Sequence, residues 1–426
     1  MTEAPRETPS IPDPEGEGTW AQRTFAAFGN RDYRWFFGGM AVSSVGTWAR
    51  TTAQLWLVWR MTGSETWLAW VSAASLLPIA LASVPAGAFA DRYDRRRVLL
   101  MLQWAMMAVS SALAVLVATG EARPGHLVAA AAVLGALRGV EMPFRQSFVV
   151  EIVGRGTLRN AVALNSIMFN LPLILGPALA GEILAAAGPT PVFFLDALSY
   201  VAPIVGFLRI RTPRRTTAAS RETVLAQILA GVRHLHGHRP AKTLLGLLAT
   251  AMFFGWSYAS LLPAYADLLA PGDPAVYGRL FSVGGVGAVL GAVWIAGRHT
   301  ANPVRLVTAV LVGFALSLLA MGLWPGMALA FTARAAAGFC MIAFFATANS
   351  TIQLSVPDDI RGRVMALWTF VFGTSLPLGQ QAMGALAHRT SVRTTFVAGA
   401  CVVLATALLV AALHGLEDRQ RSRSTT

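Results

Sequence analysis

The sequence predicts an all-α membrane protein with 12 transmembrane helices in two six-helix bundles and both termini in the cytosol. Three observations lead there. Of 426 residues, 55% are hydrophobic and 13% charged, and mean hydropathy is +0.56; lipid accommodates that much apolar surface, whereas one or two soluble cores do not. Apolar runs of about 20 residues, enough to cross a bilayer, recur in two groups of six. The arginines fall in the gaps between runs. With a cytosolic start, 25 Lys/Arg lie in inner segments and five in outer ones, the asymmetry of the positive-inside rule. The net charge of +13 is therefore a topology signal, and no nucleic-acid partner is expected.

Residues 1–34 are Pro- and Glu-rich, lack a secretory-signal pattern, and read as a disordered cytosolic tail. The N-terminal bundle covers 35–208. Its first span, 36–59, sets Arg50 and Gln54 on one face, i to i+4, with Thr47 nearby. The second, 67–90, ends in "GAFADRYDRRRVLL", where Gly87 permits close helix approach. Asp91, Arg92, Arg95 and Arg96 follow as an inner anchor before the third span, 98–118.

The fourth span, 127–150, contains "LRGVEMPFRQ". At helical spacing Arg138, Glu141 and Arg145 share a sector about 60° wide, and Glu141 is placed to reach both arginines. An unpaired charge at such depth costs about 3 kcal/mol or more. The trio reads either as an internally neutralised packing knot or as a substrate-binding and proton-coupling site in a hydrated cavity. The second reading is preferred, because ionisable groups inside a membrane default to function.

The fifth span, 161–185, holds Asn165, a cavity donor or an interhelical hydrogen-bonding group, and "GPALAG", whose Gly176, Pro177 and Gly181 allow bending and tight packing. The sixth is 190–208. Glu182 and Asp196 lie toward outer helix ends and read as interfacial residues without function. The linker, 209–243, places Val224, Leu225, Ile228, Leu229, Val232 and Leu235 at helical spacing, an amphipathic helix on the inner membrane surface.

The C-terminal bundle, 244–414, follows with spans at 244–268, 277–296, 304–323, 327–354, 362–386 and 393–413, then a cytosolic tail at 415–426. Asn349 and Gln353 share a face of the tenth span, and Arg334 in the same span has no evident acidic partner. The eleventh opens with "PDDIRGRVMAL", which supplies Asp358, Asp359 and Arg361. An internal repeat supports the six-plus-six division. An offset of 203 positions matches Phe169 with Phe372, Gly176 with Gly379 and Gly181 with Gly384, as in carriers built from parallel halves.

Trp56, Trp59, Trp67, Trp70 and Trp104 sit near span ends and read as interfacial belts. Phe169, Trp256, Tyr258, Phe344 and Phe345 are deeper and read mainly as core or lipid contacts. Cys340 and Cys401 lie in apolar runs without metal or disulfide spacing and read as inert packing residues. The sole lysine, Lys242, is outside any phosphate-binding loop, and no hydrolase motif occurs. Neither an ATP-driven pump nor an enzyme is expected.

The spacing of Gly87, Asp91, Arg92, Arg95 and Arg96 resembles the loop signature of the major facilitator superfamily, with Asp94 where the family usually has Gly. "NRDYRWFF", "GTWARTTAQLWLV", "ALNSIMFNLPLILGPALAG" and "QLSVPDDIRGRVMAL" resemble its branch of bacterial siderophore and macrolide-type drug exporters. The resemblance covers almost the whole chain. It implies a cytoplasmic lock in which those loop residues meet Asp358, Asp359 and Arg361 of the other half. It also implies a cavity lined by the first span, with Asp common where this chain has Glu141, and an antiporter signature in "GPALAG". The expected protein is a monomeric secondary carrier in a bacterial cytoplasmic membrane. It would export an amphipathic small molecule on the proton gradient, without cofactor or metal. A non-transporting receptor and an importer of the same fold are the alternatives.

Overall fold

In the computed structural model the described residues are 26–89, 93–153, 157–211, 239–298, 302–324 and 326–424. Among them secondary structure is entirely helical. The first half comprises α1 (Arg31–Thr62), α2 (Glu65–Phe89), α3 (Arg95–Ala118), α4 (Pro124–Val153), α5 (Leu158–Ala187) and α6 (Thr190–Ser199 and Val201–Arg209, broken at Tyr200). In the second half, α7 is Arg239–Thr250, a π turn at Ala251–Gly255, a 3-10 stretch at Trp256–Leu261 and then Leu262–Leu269. There follow α8 (Pro274–Ala296), α9 (Pro303–Leu323), α10 (Met327–Ser355), α11 (Asp358–Arg389) and α12 (Val392–Ser424).

Short polar signals set the helix ends. The Asn30 side chain accepts from the backbone N–H groups of Asp32 and Tyr33, and Gly63 closes α1 in a left-handed conformation at φ 57°. Asp273 and Asn302 cap α8 and α9, each followed by a proline whose missing N–H would have no helical partner. Two boundaries differ from expectation. Residues 31–34, assigned to the tail, already belong to α1, and α12 continues to Ser424, well past 413. Charged turns prolong a helix beyond its apolar length, so hydropathy alone underestimates it.

Among the described residues ten segments are long and apolar enough to cross a membrane. The helices α1 and α11 are equally capable by length, at 32 residues each, and are set apart by polar side chains that they turn inward. Within the halves α2 packs on α4, α8 on α10 and α9 on α12; between the halves α5 meets α8 and α11 meets α2. These two contacts exchange when the halves exchange.

The repeat glycines account for that symmetry. A Cβ on Gly181 would lie 3.0 Å from Gly278 Cα on α8, and one on its equivalent Gly384 would lie 2.6 Å from Ala69 Cβ on α2. Gly176 sits against Trp48 and Ala49 of α1, and its equivalent Gly379 against Phe253 of α7. Each glycine is kept small by a neighbouring helix passing at backbone distance. Gly87 makes no such approach, since a Cβ there would meet nothing within 4 Å.

For orientation, the terminal side is where α1 begins and α12 ends, and the far side is opposite. Between described residues, the halves meet from mid-depth to the far side. Arg279 Nε donates to Glu182 Oε1 at 2.7 Å, His388 Nδ1 lies 3.4 Å from Glu65 Oε2, and Ser282 Oγ donates to the Ile174 carbonyl at 2.7 Å. Trp56 stacks on Tyr277 with ring centroids 6.1 Å apart. That residue is 5% exposed, so it belongs to the seam between halves rather than to an interfacial belt. Trp70 and Trp104 are exposed, as a belt requires. Cys401 is exposed.

Candidate functional site

Two glycines orient the charged face of α4. Gly135 and Gly139, one turn apart, bring its backbone against α2 beside Ser75 and Ile79. Arg138, Glu141 and Arg145 lie about 100° around the helix from that face, and there they line a cavity of about 160 Å³ with Met40, Gln103, Met168 and Tyr200. The expected trio is thus brought to one wall. Glu141, 7% exposed, accepts a hydrogen bond from Gln103 Nε2 at 3.0 Å. Arg145 is equally buried, and Arg138 is half-buried with its Nε unbonded. Gln103 was overlooked in the sequence; the available signal was one amide in the apolar run "LLMLQWAMM".

A second cavity, of about 350 Å³, lies between the halves. From the first half it takes Thr47, Trp48, Arg50, Ser72, Ser75 and Arg138; from the second, Trp256, Ser260, Phe281, Phe372 and Gln380. The π turn and 3-10 stretch of α7 present Trp256 and Ser260 to this space, and Ser257 satisfies the disturbed backbone by donating to the carbonyls of Met252 and Phe253. Irregular backbone at membrane depth is tolerated where it borders a cavity. Trp48, Ile79 and Arg138 line both cavities, so they form the partition between the two.

Arg50 reaches the cavity, but a carboxylate holds it. Its Nε is 3.1 Å from Asp196 Oδ2, with side chains 6% and 0% exposed. Ser110 Oγ donates to the same oxygen at 2.8 Å. Asp196 is therefore no interfacial residue; it is the most deeply buried acid among the described residues of the first half. The pairing has a local cause. Gly46 lets Ser199 of α6 pass directly over α1, and one turn further along these antiparallel helices Arg50 faces Asp196.

Gln54 is corrected as well. Its Oε1 accepts from Arg50 and its Nε2 donates to the Leu127 carbonyl at 2.6 Å, so it clips α1 to α4 and lines neither cavity. Asn165 is half-buried and lines neither. Asn349 accepts from Gln353 Nε2 at 2.6 Å on their shared face, also away from both cavities. Arg334 is 5% exposed, and its guanidinium carbon lies 5.6 Å from the Tyr258 ring centroid and 5.8 Å from that of Phe281. Aromatic faces stand where an acid was sought. Tyr258 and Phe344 are core residues, whereas Trp256 belongs to the cavity wall.

Several gate side chains make contacts with described residues of their own half. Arg95 Nη1 donates to Glu151 Oε2 of α4 at 3.3 Å. Arg96 donates to the carbonyls of Phe207 and Leu208 at 2.6 and 2.9 Å, closing the end of α6. Both contacts stay inside the first half. Asp94, in place of the usual glycine, caps α3 by accepting from the Arg97 N–H at 3.1 Å. Arg361 Nε donates to the Gln353 carbonyl at 2.8 Å. Asp91, Arg92 and the linker helix lie outside the described residues, as do the side chains of Phe169, Asp358 and Asp359.

Residues 22–424 match the family described as transmembrane secretion effector. The multidrug efflux pump Tap of Mycolicibacterium fortuitum is 28% identical over 359 residues, 80% of this chain and 86% of that one. The staphyloferrin A transporter of Staphylococcus aureus is 28% identical over 261 residues, 60% of this chain and 65% of its own. The enterobactin exporter EntS of Shigella boydii is 26% identical over 268 residues, 62% of this chain and 63% of its own. The chain thus spans just under two thirds of the length of those last two relatives. Among solved structures, a POT family transporter in complex with 5-aminolevulinic acid superposes with a TM-score of 0.71 at 12% identity, covering 90% of this chain and 96% of that one. A bacterial homolog of the human lysosomal transporter Spinster, inward-facing and occupied, gives 0.69 at 14%, covering 94% and 98%.

Proposed function

Since the chain belongs to the transmembrane secretion effector family of the major facilitator superfamily, and is a transporter of its drug and siderophore branch rather than an enzyme, we propose that it exports an amphipathic small molecule in exchange for protons by alternating access. The observation that carries this reading is the cavity between the halves, continuous at Arg138 with the wall that holds Glu141 and Arg145. In this reading all twelve helices cross a bacterial cytoplasmic membrane, and the arginine asymmetry puts the terminal side in the cytosol.

The halves then meet toward the outside, and the molecule faces inward. Cargo enters the central cavity from the cytosol, α5–α8 and α2–α11 part, and the inner ends close in turn. Glu141 is the proton acceptor. Arg138, at the partition, conveys its charge state to the cargo space. No cofactor or metal takes part, and the carrier works as a monomer. In this reading the cargo is of the drug or siderophore kind that the relatives' names carry.

The test is pH-driven flux in proteoliposomes with a fluorescent amphipathic dye as the probe. Wild-type protein should move the dye against its gradient when a proton gradient is imposed. Glu141→Gln should keep its expression and fold and lose that movement. Undiminished flux in the variant would remove Glu141 from the mechanism.

A further inference from the structure

The role given to Glu141 leaves a second buried acid unexplained. Asp196 is fully buried on α6, yet its surroundings are polar on every side that meets another helix. Arg50 of α1 pairs with Oδ2 at 3.1 Å, and Ser110 of α3 donates to the same oxygen at 2.8 Å. Thr47 of α1 approaches the carboxylate, and Arg138 of α4 acts on it electrostatically. On its own helix the charged and titratable neighbour is Tyr200. Oδ1 has no hydrogen-bond partner among the described residues. A buried carboxylate oxygen left unsatisfied is costly and is the natural seat for a proton.

The acid also has a route to water at both ends. Tyr200 lines the cavity of Glu141. Its hydroxyl is 3.5 Å from Thr47 Oγ1, and either atom is able to donate. Thr47 and Arg50 line the central cavity. Hydroxyl groups therefore run from the first cavity to Asp196, and the second cavity begins at its counter-ion. A purely structural ion pair needs no such connections.

We propose that Asp196 is a second proton-binding carboxylate of this carrier, loaded from the Glu141 cavity through Tyr200 and Thr47 and held ionised between loadings by Arg50. The step balances without a co-reactant. A hydronium in the first cavity gives a proton to the Tyr200–Thr47 pair and becomes water, each hydroxyl passes a proton on as it receives one, and the carboxylate becomes a carboxylic acid. Arg50 keeps its charge throughout. This inference rests on the proton-coupled reading above, but its test does not require transport.

The experiment is infrared difference spectroscopy of the full-length protein in lipid, acidic minus alkaline, across the range in which the fold survives. A carboxylic acid shows a C=O stretch that a carboxylate lacks. Two such bands from buried groups are expected. Glu141→Gln should remove one, and Asp196→Asn combined with Arg50→Gln, which keeps the site neutral, should remove the other. Ser110→Ala, which alters no charge, should move the second band to higher frequency, because the acid loses a hydrogen bond. A spectrum unchanged by the double variant overturns the proposal. If that variant does not fold, Ser110→Ala decides: a shifted band upholds the assignment and an unshifted spectrum refutes it. Loss of dye transport with both bands intact would count against the export reading and leave Asp196 standing.

Discussion

Gly278 is where one methyl group should set the balance between the two faces of the carrier. A Cβ on this residue of α8 would lie 2.7 Å from Gly181 Cα of α5 and closer still to the Pro177 carbonyl oxygen. Carbon atoms in contact settle at about 3.5–4.0 Å, so Gly278→Ala requires α5 and α8 to separate by roughly 1 Å. Overpacking of this kind costs about 1–3 kcal/mol. Both obstructing residues belong to the opposite half, so the cost falls only on the conformation in which the far side is shut. The population should shift toward far-side opening by about 5- to 150-fold. The assay is a pulsed-EPR distance measurement between spin labels at Glu121 and Trp324, both exposed on the far side in opposite halves, after replacing Cys340 and Cys401 with Ser. A longer-distance population should grow in Gly278→Ala. The control is Gly287→Ala, which pushes against Ala335 inside the second half and should lower stability without moving the distances. Unaltered distances in a folded Gly278→Ala protein, or the same shift in the control, would refute the reasoning.

Two equally buried arginines should respond to removal in opposite ways. Arg50→Met strands the fully buried Asp196, and breaking a buried pair costs about 3–5 kcal/mol. Thermal unfolding in detergent should show that loss, with much of it recovered when Asp196→Asn is added; a double variant no more stable than the single would argue against coupling. Arg334→Met removes a guanidinium that rests on the rings of Tyr258 and Phe281 and leaves no acid behind. Its unfolding temperature should stay close to wild type or rise. A loss as large as that of Arg50→Met would reveal an anionic partner for Arg334.

What the sequence made legible divides along a physical line. Properties carried within the chain's local pattern were readable: the shared face of Arg138, Glu141 and Arg145, and the equivalence of Gly181 with Gly384. Properties created by two helices were not. Asp196 looked interfacial because its depth was counted from the start of its own apolar run. Its partner Arg50 lies far away in sequence, and the contact depends on Gly46 giving way to Ser199. Gln54 was placed in the cavity on the same grounds that placed Arg50 there, and only the Leu127 carbonyl of α4 distinguishes them. The partial unwinding of α7 left no mark in the apolar count, since "AMFFGWSYASLL" is equally hydrophobic wound or unwound.

The distribution of polar interactions also separates what must stay rigid from what must yield. Inside the first half the charges are buried and paired with one another or with an amide: Arg50 with Asp196, Arg95 with Glu151, Glu141 with Gln103. Disrupting any of these strands a buried charged or polar group, so the half moves as one body. Across the far side the contacts are of a different kind. Glycines touch backbone there, and the ion pair of Glu182 with Arg279 is more than half exposed on both sides, so water replaces what opening removes. A seam of close backbone contacts and wet charges closes well and opens at small cost. Arg138 borders both territories, being part of the rigid network and part of the cargo wall. In the proposed exchange it is the residue through which a proton bound in one half would be felt in the space between the two.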